Sequence, residues 1–297
     1  MIIVRLTDGL GNQMFQYAAA KSLAVQNNTE VVFDMSWFEI NKHRGRRLYG
    51  LDIFPLSCQK INQVDKVKDF FLKHLHFTRN IYRHRAMARI EKLLAPNGGI
   101  TIHEMSLSYD EKMMLQARGK SVYLQGYWQS EQYFSSIRDA LLQDFQFQPV
   151  LSGENLTTSE QIQHVANPVA LHIRRGDYLG TKFACCTLRY YAKAIDYLAE
   201  HVGDIQLFVF SNDIPWAKDN LKTNHEIHFV AQNSEANGYE DMRLMSLCHH
   251  HIIANSSFSW WGAWLGQYEG KIVIAPRKWL TEGEEPSNIV PVEWIRL

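Results

Sequence analysis

Five short apolar runs divide the second half of the chain: PVALHI (168–173), IQLFVFS (205–211), EIHFVA (226–231), HIIA (251–254) and KIVIA (271–275). Between them lie stretches of helical periodicity, RYYAKAIDYLAEHV, AKDNLKT, YEDMRLMSLCHH and SWWGAWLGQY. A strand reached through a helix runs parallel to the one before it, because the crossover carries the chain back to the starting end of the sheet. Such sheets are covered on both faces, so their strands read as unbroken apolar runs. The pattern predicts a doubly wound α/β unit, and in these sheets ligands lie beyond the carboxyl ends of the strands.

The first half opens in the same way. MIIVRL reads as a strand, GLGN as a turn, QMFQYAAAKSLAVQNN as a helix stopped by an asparagine pair, and EVVFDM as the next strand. A helical reading runs from VDKVKDFF to RIEKLLAPNGG, where Pro96, Gly98 and Gly99 stop it. SVYLQGYW gives another strand, followed by a helix through Ile137, Leu141 and Leu142. The polar stretch QPVLSGENLTTSEQ joins the halves and runs into a helix. A chain of 297 residues is about twice a typical domain, which places the domains at 1–148 and 149–297.

Charge removes one class of function. Lysine plus arginine and aspartate plus glutamate number 31 each, so no overall field draws the chain to nucleic acid. The one basic stretch runs from Lys66 to Lys92, with Phe70, Phe71, Leu75, Phe77 and Ile81 among its cations. Two readings of it stand: a solvated helical face, or a surface that docks peripherally on anionic lipid. The N-terminus enters a strand pattern with no charged leader, no apolar run spans a bilayer, and the four cysteines lack zinc spacing. A cytoplasmic protein without a metal centre is expected.

The chemistry gathers at the strand ends. HIRRGD follows one strand, SND another, and ANSSFSWWG a third, while the first strand of the chain ends in DGLGNQ. The planar fork of Arg174 or Arg175 suits the oxygens of a diphosphate. Ser256 and Ser257 open a helix, where backbone amides and the helix dipole favour an anion, although serines there also serve as plain caps. GLGNQ lacks the last glycine of a dinucleotide fingerprint. The tryptophans of SWWGAW read as core before they read as sugar-stacking rings. His249, His250 and His251 are consecutive and cannot converge on one metal.

In these motifs the chain resembles the bacterial α-1,2-fucosyltransferases, a family that also includes the animal enzymes making the H antigen. GLGNQMFQYAAAKSLA is similar to its N-terminal glycine-loop signature, GYWQSEQYF to its mid-chain signature, and HIRRGDY to an arginine motif shared with α-1,6- and protein O-fucosyltransferases. FVFSND and NSSFSWWGAWL are similar to its two later motifs.

The resemblance implies a GT-B fold, two Rossmann-like domains facing across a cleft, with GDP-fucose held mainly by the second. It implies transfer of fucose from GDP-β-L-fucose to the 2-hydroxyl of a β-galactoside, with inversion and without a metal, in surface polysaccharide or O-antigen synthesis. The acceptor is then a galactoside, in one reading lipid-linked. Arg174 would contact the β-phosphate and neutralise the leaving GDP, with His172 reaching the donor or positioning Arg174. Asp177 is the nearest candidate base, beside a dissociative course in which the leaving phosphate helps remove the proton; pairing of Asp177 with Arg175 is the structural alternative. Arg175, Asn212, Asp213, Asn255, Ser256, Ser257 and Phe258 would line the donor pocket. Asp241 would read guanine N1 and N2, with Glu240 as its rival. Asn12 and Gln13 would meet donor or acceptor, and Tyr127, Trp128 and Gln129 the acceptor. Competing functions are a GDP-fucose transferase of other linkage and a lectin-like sugar-binding protein without chemistry.

Overall fold

The computed structural model describes residues 1–41, 48–61 and 99–297. The basic stretch Lys66–Lys92 and the helical reading around it lie outside the described residues. The backbone divides into two compact units, Met1–Gln146 and Phe147–Leu297; the sequence reading placed the division between 148 and 149. Among the described residues no helix is long and apolar enough to cross a membrane.

The first unit is a parallel sheet of β1 (Ile2–Arg5), β2 (Val31–Asp34), β3 (Gln59–Ile61), β4 (Ile100–His103) and β5 (Val122–Gln125) in the order β3-β2-β1-β5-β4. Helices α1 (Leu10–Gln26), α2 (Ser36–Asn41), α3 (Glu111–Gln116) and α4 (Arg138–Asp144) accompany it. Strands β3 and β4 escaped the sequence reading because they are the sheet's two edges. Gln59 and Lys60 are exposed, and an edge strand need not carry a continuous apolar run. Helix α1 buries Met14, Phe15, Ala18, Ala19, Ala20 and Leu23, and the Tyr17 hydroxyl donates to Asp144 Oδ2 at 2.6 Å, tying α1 to α4.

The second unit is a parallel sheet of β6 (Pro168–Ile173), β7 (Gln206–Ser211), β8 (Glu226–Val230), β9 (His250–Ile252), β10 (Val273–Ala275) and β11 (Ile295–Arg296), in the order β11-β10-β9-β6-β7-β8. Its helices are α5 (Gly153–His164), α6 (Leu188–Val202), α7 (Ile214–Asn220), α8 (Tyr239–Leu247) and α9 (Ser257–Leu265). The two-residue β11 was too short to announce itself in sequence. Every residue of β6 is buried. Its odd positions, Val169, Leu171 and Ile173, pack with Tyr190, Ala194 and Leu198 of α6 and Ala217 of α7. On the opposite face Ala170 packs with Phe208 and Phe210 of β7, Ile162 of α5 and Leu244 and Met245 of α8. Burying one such leucine or isoleucine side chain contributes roughly 2 kcal/mol. Trp260, Trp261 and Trp264 are core, as the sequence favoured; Trp260 Nε1 donates to the Ile289 carbonyl at 2.8 Å.

Candidate functional site

In the second sheet β6 lies between β7 and β9, and the chain departs in opposite directions from it. This is the switch point at which doubly wound sheets open a crevice at their carboxyl ends. HIRRGDY leaves β6 there, and the loop from β9 into α9 meets it.

The turn after β6 is held by a clasp. Gly176 has φ +45°, and a Cβ there would stand 2.5 Å from Asn212 Nδ2. Asn212 in turn accepts the Arg175 amide through Oδ1 at 2.8 Å. The Arg175 guanidinium lies 3.6 Å from the Trp216 ring centroid and its Nε donates to Asp213 Oδ2 at 3.3 Å. Asp213 also caps α7, accepting the Trp216 amide at 3.2 Å. Arg175, Asn212 and Asp213, read in sequence as donor contacts, are therefore bound to one another, and the pairing of Arg175 with Asp177 is replaced by one with Asp213.

Arg174 is free of that clasp. It donates through Nη2 to Asp177 Oδ2 at 2.8 Å, and its guanidinium lies 5.4 Å from the Tyr178 ring. Its Nε is buried with no hydrogen-bond partner among the described residues, as is Nδ1 of the buried His172. Burial first, and the Arg174 charge second, press the His172 pKa down to about 3, so the ring is neutral near pH 7. The His172 ring lies 5.9 Å from that of Phe258 on α9. Ser256 Oγ caps α9 by accepting the Phe258 amide at 3.4 Å, whereas the Ser257 hydroxyl makes no hydrogen bond to a described residue. One fixed cation, one neutral imidazole and one helix start thus converge, and buried polar groups left unpaired by protein point to a polar ligand.

Asn255 does not join them. Its amide nitrogen donates to the carbonyls of Phe183 at 2.9 Å and Trp279 at 2.8 Å, and its Oδ1 accepts Cys186 Sγ at 3.5 Å. Both amide protons are given to carbonyls of the fold and not to the space beside Arg174.

The two carboxylates left open in sequence have different neighbours. Glu240 is buried with Arg243 one turn on, at 3.7 Å. Asp241 accepts Asn233 Nδ2 at 2.7 Å, and burial, reinforced by Glu240 and opposed by that hydrogen bond, lifts its pKa to about 6. Because α8 follows β8, Asp241 stands at the carboxyl end of the sheet.

In the first unit the order reverses at β1, between β2 and β5. Tyr127, at the end of β5, donates its hydroxyl to Asp8 Oδ2 at 2.8 Å at the end of β1. Gln129 Nε2 donates to Asn12 Oδ1 at 2.8 Å. Gln13 is fully buried: Nε2 donates to the carbonyls of Asp8 and Leu48, and Oε1 accepts the Gly50 amide at 2.9 Å. Trp128 is fully buried, 5.4 Å from the Tyr133 ring. The Gln13 side chain thus braces this crevice from within, whereas Trp128 Nε1 is buried without a hydrogen-bond partner among the described residues.

Two residues of the crevice were missed. Asp8 holds φ +60° and Trp128 φ +58°, left-handed backbone that non-glycine residues adopt at a cost of about 1–3 kcal/mol and mostly at functional sites. Glu104 accepts the Tyr127 amide at 2.6 Å and the Trp128 amide at 2.9 Å, and burial pushes its pKa up to about 7 against those two bonds. Gly126 is required beside it, since a Cβ would sit 2.4 Å from Glu104 Cβ. The aspartate before a glycine in TDGLG was a visible signal for Asp8; Glu104 was hidden because β4 was not read as a strand.

The sequence profile named Glycosyl transferase family 11 matches residues 1–297. The chain is 33% identical to an alpha-1,2-colitosyltransferase of Escherichia coli over 100% of this chain and 99% of the relative. It is 34% identical to the O-antigen biosynthesis glycosyltransferase WbnK of Escherichia coli, over 98% and 99%. Among solved structures, a mutant of Arabidopsis thaliana FUT1 in complex with GDP is similar at a TM-score of 0.51 and 15% identity, covering 92% of this chain and 69% of that one. The likeness shows the fold, two Rossmann-like α/β units of the GT-B class, as expected from sequence.

Proposed function

We propose, from the premise that the chain belongs to glycosyl transferase family 11, that this glycosyltransferase moves L-fucose from GDP-β-L-fucose to the 2-hydroxyl of a terminal β-galactoside with inversion. The observation that carries the reading is the pair of buried nitrogens without a hydrogen-bond partner among the described residues, Arg174 Nε and His172 Nδ1, at the β6 switch point.

As the bond from anomeric carbon to phosphate oxygen breaks, negative charge grows on the diphosphate. A guanidinium already held by Asp177 meets that charge without reorganising, and a preorganised donor of this kind is worth about 3 kcal/mol or more. Arg174 supplies the positive charge that a divalent cation supplies elsewhere, so the reaction is proposed to run without a metal. His172, neutral at working pH, donates or accepts a hydrogen bond and is too weak a base to take the acceptor proton. Asp177 orients Arg174. Its pairing favours the dissociative course, in which the departing phosphate takes the proton. Ser257 and the first amides of α9 face the phosphates, Asp241 reads guanine, and Tyr127 and Gln129 contact the acceptor.

The relatives' names support an α-1,2 linkage and a place in O-antigen synthesis, with an oligosaccharide acceptor that is lipid-linked in the membrane-proximal version of this reading. A second donor is favoured by one of them: colitose is fucose without its 3-hydroxyl, and the colitosyltransferase matches this chain end to end. The test is GDP release from GDP-fucose and from GDP-colitose, with and without lactose, in EDTA, for the unaltered chain and Arg174→Ala. Acceptor-dependent release that survives EDTA, collapses in the variant and yields a 2-linked sugar supports the proposal. Undiminished turnover in Arg174→Ala removes the leaving-group role, and the better donor identifies the sugar.

A further inference from the structure

At the carboxyl end of β8, polar side chains close into a ring that the reaction scheme above does not use. Asn155 of α5 and Asn233 pair reciprocally: Asn155 Nδ2 donates to Asn233 Oδ1 at 2.8 Å, and Asn233 Nδ2 to Asn155 Oδ1 at 2.9 Å. Asn237 Nδ2 adds a second donor to Asn233 Oδ1 at 2.9 Å. Gln232 Nε2 donates to Asn155 Oδ1 at 3.0 Å and to Thr158 Oγ1 at 3.1 Å. Asn233 is the hub, with both amide protons given and its oxygen accepting twice. Its remaining bond is the one to Asp241 Oδ1 at 2.7 Å.

That bond fixes the carboxylate plane from one side only. Oδ2 of Asp241 engages no described residue, and Oδ1 keeps a lone pair beside Asn233. A carboxylate held this way presents two acceptors in a defined line. Guanine offers two parallel donors, N1–H and the N2 amino group; hypoxanthine offers only N1–H; adenine opposes the carboxylate with its N1 lone pair. Asp241 shares this end of the sheet with Arg174 and the start of α9, so a nucleoside diphosphate whose phosphates meet Arg174 has its base read within the same unit.

We infer that Asn233 is a positioning residue for donor selectivity: by locking Asp241 it makes the second hydrogen bond to guanine available, and so separates guanine from hypoxanthine. The inference rests on the proposed reading of guanine by Asp241. The charged group acting on Asp241 is Glu240, which has Arg243 against it. The side chains that face Asp241 from α5 and the 231–237 segment in this ring are uncharged.

The experiment is calorimetric titration of the unaltered protein with GDP, IDP and ADP, repeated on Asn233→Ala, Asn155→Ala and Asp241→Asn, with melting temperatures for each. One hydrogen bond to a charged group corresponds to a GDP-over-IDP preference of about tenfold or more. Asn233→Ala is expected to reduce that preference to below about threefold and to move the acid limit of GDP binding to higher pH, because the bond that favours the ionised carboxylate is gone. Asn155→Ala breaks the ring on the side away from Asp241, so it is expected to lower the melting temperature and leave the GDP-over-IDP ratio intact. If Asn233→Ala and Asn155→Ala both melt earlier and both keep the ratio, the ring is only a structural knot and the inference fails. If the unaltered protein shows no GDP preference, or Asp241→Asn retains it, the reading of guanine by Asp241 fails instead.

Discussion

The Arg174 guanidinium donates to the Asp177 carboxylate at 2.8 Å across a single turn, while the neighbouring Arg175 points to Asp213 at 3.3 Å. The two arginines of one motif are thereby divided between tasks. Arg174→Ala is expected to lower kcat about 100-fold or more, the loss typical of removing a preorganised donor, and Arg174→Lys to recover little, since lysine lacks the fork. Asp177→Asn keeps the shape and loses the charge. If Asp177 only orients Arg174, kcat falls about tenfold with no change in the shape of the pH profile; loss of the acid limb would instead make Asp177 the base. Steady-state kinetics across pH distinguish the two.

Gly176→Ala tests the clasp. Its φ of +45° disfavours any side chain, and the new Cβ would meet an Asn212 amide that is already pinned to the Arg175 backbone. The cost is expected at about 1–3 kcal/mol, read as a lower melting temperature. Because the displaced turn carries Arg174, GDP affinity should fall with it, whereas a change of equal stability cost in the α6 core should leave GDP affinity unchanged.

Most strands of the second sheet were legible because a strand buried on both faces must be largely apolar, and β6 is buried at every position and apolar at all but His172. The edges β3, β4 and β11 were not, since half of an edge strand answers to solvent. HIRRGDY suggested an anion site, but sequence could not say which arginine would be engaged by protein. That depended on Trp216 and Asp213, brought over by β7 and α7. Gln13 and Asn255 sat inside motifs that looked functional, and their side-chain amides are engaged by backbone groups of the fold, because a fixed crevice needs buried polar groups as much as exposed ones. Asn233 and Glu104 carried no local signal at all. Their partners arrive from α5 and β5, distant in the chain.

Donor binding should weaken on the acid side through one group. Burial raises Asp241 to about 6 while His172 is held near 3. On the proposed reading of guanine, Asp241 ionised above pH 6 would accept both guanine protons, and protonated below it would lose that capacity. His172 stays neutral throughout. The Kd for GDP-fucose, whose diphosphate is esterified at both ends and has no group titrating here, is expected to rise about tenfold per unit once the pH drops below about 6, the limit for a single titrating group, and Asp241→Asn should abolish the dependence while raising Kd at pH 7. A midpoint unchanged in Asp241→Asn would assign the acid limb elsewhere.

Glu104 should leave a mark on stability with the opposite sense from a surface carboxylate. Its pKa is raised by burial from 4.5 to about 7, so between those values the folded chain binds more protons than the unfolded one. Stability tied to this group is then fully present below about pH 4.5 and declines as pH rises toward 7. Complete burial would make the decline about 3 kcal/mol, and partial contact with solvent reduces it to the order of 1–2 kcal/mol. Glu104→Gln removes the titration but places an amide where one of two backbone N–H groups, from Tyr127 and Trp128, needs an acceptor. The variant is therefore expected to be less stable than the unaltered chain at pH 5 and to lose less on going to pH 7.5. Denaturant melts at the two pH values measure both terms, and parallel pH slopes in the two proteins would show that Glu104 does not titrate in this range.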